Sequence, residues 1–398
     1  VPLRNNFDFN LLWTGQAVSG LGSAMSGIAY PLLVLAMTGS AAKAGIVGGA
    51  GLLANMLFLL PAGLVADRFP RRKLMVLTSL IQLAAVGSVV PVVLANHIYI
   101  AQLAAVAAVQ GAASAFYLGA SRGAVRRVVP VPQLSAAYSR IQGRDQAISL
   151  IGPPAGGALF GLARFLPFAF DSASFGVVAL AAALIRAPLD PERRPERRPA
   201  HLLAGLRFIA ERPVLRTVAI WGAVVNTTAA GVFLCVVALA RSLGADPALV
   251  GLVTSVNSVS GLVGSLLAAK LIKRIGARNL TWFASWLLAL GAVGLSRVPS
   301  PWLIGGIGIV IAFFVAPVNV AFGAYSAAIT PDELQAQAGN AMKLWVSGFA
   351  WLSPPAFGTA IGILGVRPAL LIAAAFYAVA AVTVQFARNL GELDRYQD

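Results

Sequence analysis

The sequence predicts an all-α membrane protein: twelve transmembrane helices in two six-helix halves, related by a pseudo-twofold axis along the membrane normal. Three observations predict it. Of the 398 residues, 58% are hydrophobic and 11% charged, whereas soluble domains carry roughly 25% charged residues. Apolar runs of about 20 residues, the length that crosses a bilayer, recur from end to end. Landmarks of the first half return in the second at an offset near 200 residues.

The first six runs fall at 11–37, 44–66, 74–95, 98–120, 139–161 and 166–186. The second six fall at 215–240, 248–270, 279–297, 301–325, 340–364 and 367–388. The polar start VPLRNNFDFN is short and the first run is long enough to span, so no cleavable signal peptide is expected. An even number of spans places both termini on one side. The charges name that side. Of the 30 Lys and Arg residues, Lys43, Arg164, Arg241, Arg297 and Arg367 fall in one set of loops, and the other 25 share the termini and the opposite set. Lys and Arg accumulate on the cytoplasmic face, so both ends are expected in the cytoplasm of a bacterial inner membrane. The net charge of +16 is thus topogenic, and no nucleic-acid partner is expected.

The longest polar stretch, RAPLDPERRPERRPAHLLAGLRFIAERPVLR, joins spans six and seven. PERRPERRP reads as a Pro-broken charged linker. Ala200 to Glu211 reads as a short interfacial helix, a tether on the anionic leaflet. The expected domains are residues 1–186, a cytoplasmic linker at 187–214, and residues 215–398.

Composition also excludes chemistry. Cys235 is the lone cysteine, which leaves no internal disulfide or cysteine-based metal site. His97 and His201, both in predicted loops, supply neither a metal cluster nor a Ser-His-Asp triad. Gly48-Gly-Ala-Gly51 lacks the spacing of a phosphate-binding loop. No enzyme activity, metal or cofactor is expected.

The repeat rests on three pairs. Val129–Leu134 matches Ile329–Leu334 at an offset of 200, and Gly152–Gly157 matches Ser353–Gly358 at 201. Arg68, Arg71 and Arg72 match Lys270, Lys273 and Arg274 at 202. Halves with an even number of helices insert in the same direction, and a cavity forms between them.

After the second span the chain reads Gly63-Leu-Val-Ala-Asp67-Arg68-Phe-Pro-Arg71-Arg72. Gly63 removes a side chain where helices approach, and Asp67 offers a carboxylate to helix N-termini and arginines. Arg68, Arg71 and Arg72 can pair across the halves or hold lipid phosphates. The second copy has Ala269 in place of Asp67. Within the fifth span, Gly152, Gly156 and Gly157 allow close helix contact, while Pro153 and Pro154 free carbonyls and bend the helix.

The G-x-x-x-D-R-x-x-R-R loop resembles the signature loop of the major facilitator superfamily. The fifth-span segment Gly152–Gly157 resembles a motif of exporters in that superfamily. With Phe9–Gln16, Leu166–Phe175 and Ile329–Leu334, the chain resembles the branch holding enterobactin exporters and macrolide efflux proteins. The resemblance implies alternating access, with Gly63, Asp67, Arg68, Arg71 and Arg72 as a cytoplasmic latch. It also implies a cavity lined by spans one, four, seven and ten. Gln16, Ser19, Tyr30, Gln110 and Tyr117 are the candidates in the first half. Asn226, Thr227, Phe233, Phe314 and Asn319 are those in the second, flanked by Trp345 and Trp351 in span eleven.

Acids inside a membrane are costly and mark candidate function. Asp145 beside Arg144 in span five, and Asp171 in span six, are the candidates for proton coupling. Two departures from the resemblance bear on this: Ser23 stands where many relatives carry an acid, and Ala107 where many carry a span-four Arg. The expected function is proton-coupled efflux of a hydrophobic or amphiphilic small molecule by a monomer, with anionic lipids at its basic loops. The alternatives are a lipid or lysophospholipid flippase, and a sensor or scaffold that does not transport.

Overall fold

The computed structural model describes residues 3–97, 99–189, 202–331 and 334–395. Every regular element among them is helical. The first group comprises α1 (Phe7–Thr38), α2 (Ala41–Arg68), α3 (Arg71–Gly87), α4 (Val89–Leu94), α5 (Ile100–Val128), α6 (Leu134–Leu162) and α7 (Leu166–Leu184). Then come α8 (Leu202–Glu211), α9 (Pro213–Ser242), α10 (Pro247–Leu266), α11 (Ala268–Ile275) and α12 (Ala277–Leu295). Last are α13 (Pro301–Ile329), α14 (Gln335–Ser347), α15 (Ser353–Leu364), α16 (Val366–Phe386) and α17 (Glu392–Arg395).

Local chemistry sets the boundaries. The Asn6 side chain caps α1 by accepting from the Phe9 amide, and Gly39 ends it in the left-handed region at φ 63°. Ser40 then caps α2 through the Lys43 amide. Pro213 and Pro301 open α9 and α13 at positions where a helix has no use for the missing N–H. Asp246 caps α10 through the Leu249 amide at 2.7 Å.

Nine helical stretches among the described residues are long and apolar enough to cross a membrane. Two other predicted spans, 139–161 and 279–297, are continuous helices that fall outside this set. Asp145, Gln146 and a Gly/Pro run lower the hydropathy of α6, and Arg278 and Asn279 open α12. The third, 340–364, is not one helix. It breaks into α14 and α15 around a 3₁₀ turn at Ala350–Leu352. Pro354 and Pro355 lack the N–H groups that would tie α15 back to that turn. The matching Pro153 and Pro154 lie inside a continuous α6. Predicted span three is also stepped, at Ser88, and span eight at Leu267.

The chain forms two compact units. The first gathers α1–α7 with Asp246–Ser255 at the start of α10; the second gathers α8, α9, the rest of α10 from Val256, and α11–α17. In the first, α2 packs on α5, α1 on α6 and α7, and α3 on α5 and α7. Helices come close where side chains vanish: a Cβ on Gly111 of α5 would fall on the Gly51 carbonyl of α2. Phe9, Leu12, Met75, Val125 and Ile185 form a buried cluster with several alanines. In the second unit, α9 packs on α14, α15 and α16, and α12 on α13 and α16. Large apolar side chains such as Leu180, Leu266, Phe376 and Val379 are left exposed, as lipid-facing residues are.

The interfacial helix expected after Ala200 is α8, while PERRPERRP lies outside the described residues. The expectation of an apolar face resting on the leaflet needs correction. Phe208 and Ile209 are buried, and α8 packs on α9 and α14. Arg212 stacks its guanidinium 3.7 Å above the Phe208 ring.

Candidate functional site

Two polar clusters sit along α1 of the first unit. The inner one centres on Asp171 of α7, which is fully buried. Ser23 Oγ donates to its Oδ1 at 3.2 Å, and Ser26 Oγ donates to Oδ2 at 2.5 Å. Gln110 Nε2 of α5 donates to Oδ2 at 3.1 Å. Tyr30 lies 3.5 Å from Gln110 Oε1 and stands edge-on to Phe168. All three donors to the carboxylate are neutral. Gly22 makes room for the acid: a Cβ there would stand 2.9 Å from both Asp171 Cα and Oδ1.

The second cluster lies toward the start of α1. Arg144 of α6 is buried, donating from Nη1 to Gln16 Oε1 at 2.9 Å and to the Trp13 carbonyl at 3.3 Å. Its Nε and Nη2 both reach Asp145 Oδ1, at 3.0 and 2.8 Å. The Asp145 side chain is 52% exposed, so the pair couples a buried cation to an accessible acid. Tyr117 of α5 lies beside Gln16. Gln16, Ser23 and Tyr30 recur every seven residues on α1, and Gln110 and Tyr117 repeat that interval on α5. Seven residues are close to two helical turns, so both clusters occupy one seam. Ser19 lies between them on α1.

Sequence reasoning thus named Gln16, Tyr30, Gln110, Tyr117, Arg144, Asp145 and Asp171, and the fold gathers them on one seam. It passed over Trp13, Gly22 and Ser26, and read Ser23 only as a missing acid. For Ser23 the seven-residue repeat was the available signal.

Other candidates stand apart. In the second unit Asn226 and Asn319 line a cavity of about 390 Å³ with Trp221, Phe322 and Tyr325. Thr227 Oγ1 is buried without a hydrogen-bond partner among the described residues. Phe314 packs edge-on against Phe283 and Phe313. Phe233 and Trp345 are exposed, and Trp351 lies on the 3₁₀ turn.

In the signature loop Arg68 is exposed. Arg71 Nη1 reaches the Gly123 carbonyl at 3.4 Å, and Arg72 Nη2 the Ala187 carbonyl at 3.0 Å. These bonds lie within the first unit. The Asp67 side chain lies outside the described residues. The close approach expected at Gly63 is not found: a Cβ there meets nothing within 4 Å among the described residues. Gly152 and Gly156 of α6 face Ala24 and Met25 of α1, and Gly157 faces the Pro247 carbonyl.

These helices, with their apolar exteriors and buried polar seam, define a polytopic integral membrane protein. The description "Major Facilitator Superfamily" matches residues 12–238 and 218–394, and the chain belongs to that superfamily of transporters; it is not an enzyme. The multidrug efflux pump Tap of Mycobacterium bovis is 30% identical over 227 residues, covering 52% of each chain. The match thus spans about half the length of that relative. The enterobactin exporter EntS of Citrobacter koseri is 24% identical over 413 residues, covering 99% of this chain and 94% of its own. A solved bacterial homologue of the human lysosomal transporter Spinster, inward-facing and unoccupied, shares the fold with a TM-score of 0.79. It is 15% identical and covers 100% of this chain and 98% of its own.

Proposed function

We propose that the chain is a secondary exporter of hydrophobic or amphiphilic small molecules, driven by the proton gradient, with Asp171 carrying the coupling proton. The observation that carries this reading is a buried carboxylate held by three neutral donors. Burying an unpaired charge costs far more than burying the neutral acid, so taking up a proton changes the energy of the site sharply. Ser23, Ser26 and Gln110 come from α1 and α5, so a change of protonation acts on the contacts joining three helices. Arg144 and Asp145 form a charged pair on the same seam, exposed on the acid's side.

The wider reading has twelve spans in two six-helix halves, both termini in the cytoplasm, and alternating access between the halves. Residues 1–186 and 215–398 are its two bundles, joined by a tether at 187–214. Gly63, Asp67, Arg68, Arg71 and Arg72 form its cytoplasmic latch. The relatives with efflux and export in their names support the direction. Accumulation of fluorescent amphiphiles in everted membrane vesicles tests it: uptake should rise with an inward-acid gradient and collapse with a protonophore. Accumulation indifferent to both would remove the coupling.

A further inference from the structure

Between α1 and α6 of the first unit runs a groove of about 680 Å³, distinct from the Asp171 cage. Leu21, Ile148 and Ile151 line one end, and Trp13, Arg140 and Arg144 the other. The two walls are fixed in different ways. Trp13 Nε1 donates to the Arg140 carbonyl at 3.2 Å, which pins the indole across the two helices. Arg144 is pinned by Gln16, the Trp13 carbonyl and Asp145. The Arg140 guanidinium, one turn earlier on α6, has no ion pair or hydrogen bond among the described residues.

The charge of the groove follows from these contacts. Arg140 and Arg144 both line it, while Asp145 does not and gives its Oδ1 to Arg144. Among the described residues, one positive charge is therefore left uncompensated beside an aromatic wall and an aliphatic floor. A cationic guest would meet like charge, and a neutral one would leave the Arg140 donors unused. The volume suits one drug-sized molecule.

We propose that this groove binds amphiphiles carrying a single anionic group, the acid against Arg140 and Arg144 and the apolar body over Trp13, Leu21, Ile148 and Ile151. That such a guest is cargo rests on the exporter reading; the binding does not.

The test is equilibrium binding of radiolabelled dodecyl phosphate to the full chain in phosphatidylcholine nanodiscs, against dodecyltrimethylammonium as the cationic counterpart. The phosphate should bind saturably and the cation should not. Arg140→Gln, at an exposed position, should raise the Kd about tenfold through loss of a charge-assisted contact. Ile151→Trp should block binding by filling the groove. Equal binding of the cation, or affinity unchanged in both variants, would overturn the proposal. Binding abolished by adding phosphatidylglycerol to the discs would also overturn it, by giving the groove to a two-chain membrane lipid. Specific binding without gradient-driven export would contradict the exporter reading and leave the groove as assigned.

Discussion

Ser26 of α1 donates its hydroxyl to Asp171 Oδ2 of α7 at 2.5 Å, and Ser23, one turn earlier, reaches Oδ1 at 3.2 Å. A carboxylate on one helix is thus held by hydroxyls on its neighbour, in a bundle where α1 packs directly on α7. In lipid, where apolar side chains gain nothing by leaving water, such polar contacts and close packing hold helices together.

Ser26→Ala removes the shorter bond and leaves a buried acceptor one partner poorer. A loss of about 1–3 kcal/mol is expected, measured by equilibrium unfolding in mixed micelles. Ser23→Ala, at the longer contact, should cost less. A reversed order would show that the hydroxyls do not hold Asp171 as described.

Two glycines give a sharper contrast. Gly22→Ala places a methyl 2.7 Å from Ser174 Oγ and 2.9 Å from Asp171 Cα, so α1 and α7 must separate. The expected cost is about 1–3 kcal/mol, together with weakened transport. Gly63→Ala meets open space among the described residues, and its stability should stay within about 0.5 kcal/mol of the parent. Thermal unfolding of the two variants side by side decides it.

How legible this was in the sequence varies with the physics. The all-helical, membrane-spanning character and the buried acid showed themselves because membrane insertion and desolvation penalise the alternatives heavily. Ser23 did not, because a residue was judged by the charge it lacked while its partner lay 148 positions away in the chain. The break in span eleven was hidden for a different reason. Its Pro354-Pro355 step matches Pro153-Pro154 in sequence, yet Pro354-Pro355 opens a new helix while Pro153-Pro154 lies inside one. The buried face of α8 was hidden as well, since a helix lying on lipid and one lying on α14 have the same amphipathic pattern. Arg71 and Arg72 were expected to pair across the halves or hold lipid phosphates, and each reaches a backbone carbonyl within the first unit.

The root of the linker is clasped from two sides. Asp8 accepts the Arg186 amide at 2.8 Å and the Ala187 amide at 3.0 Å, while Arg72 holds the Ala187 carbonyl. Asp8→Ala should release residues 186–189 and quicken limited proteolysis there. A loss of about 1–2 kcal/mol corresponds to roughly 5–30-fold more of the open form. An unchanged cleavage rate would mean that the linker root is held elsewhere.

The two copies of the basic loop differ in one acid, with Ala269 standing where the first has Asp67. If the latch resides mainly in the first copy, Asp67→Ala should weaken transport more than Ala269→Asp. Initial export rates at matched expression settle the ranking, and the reverse order contradicts an asymmetric latch.

The most direct measurement compares the parent with Asp171→Asn in proteoliposomes that carry a pH gradient, for a substrate the parent exports. Asparagine keeps the size of the side chain and its acceptor oxygen but cannot take up a proton. Binding should persist while gradient-driven movement falls to the level of downhill exchange. An Asp171→Asn protein that still concentrates substrate against its gradient would contradict the assignment of coupling to this carboxylate.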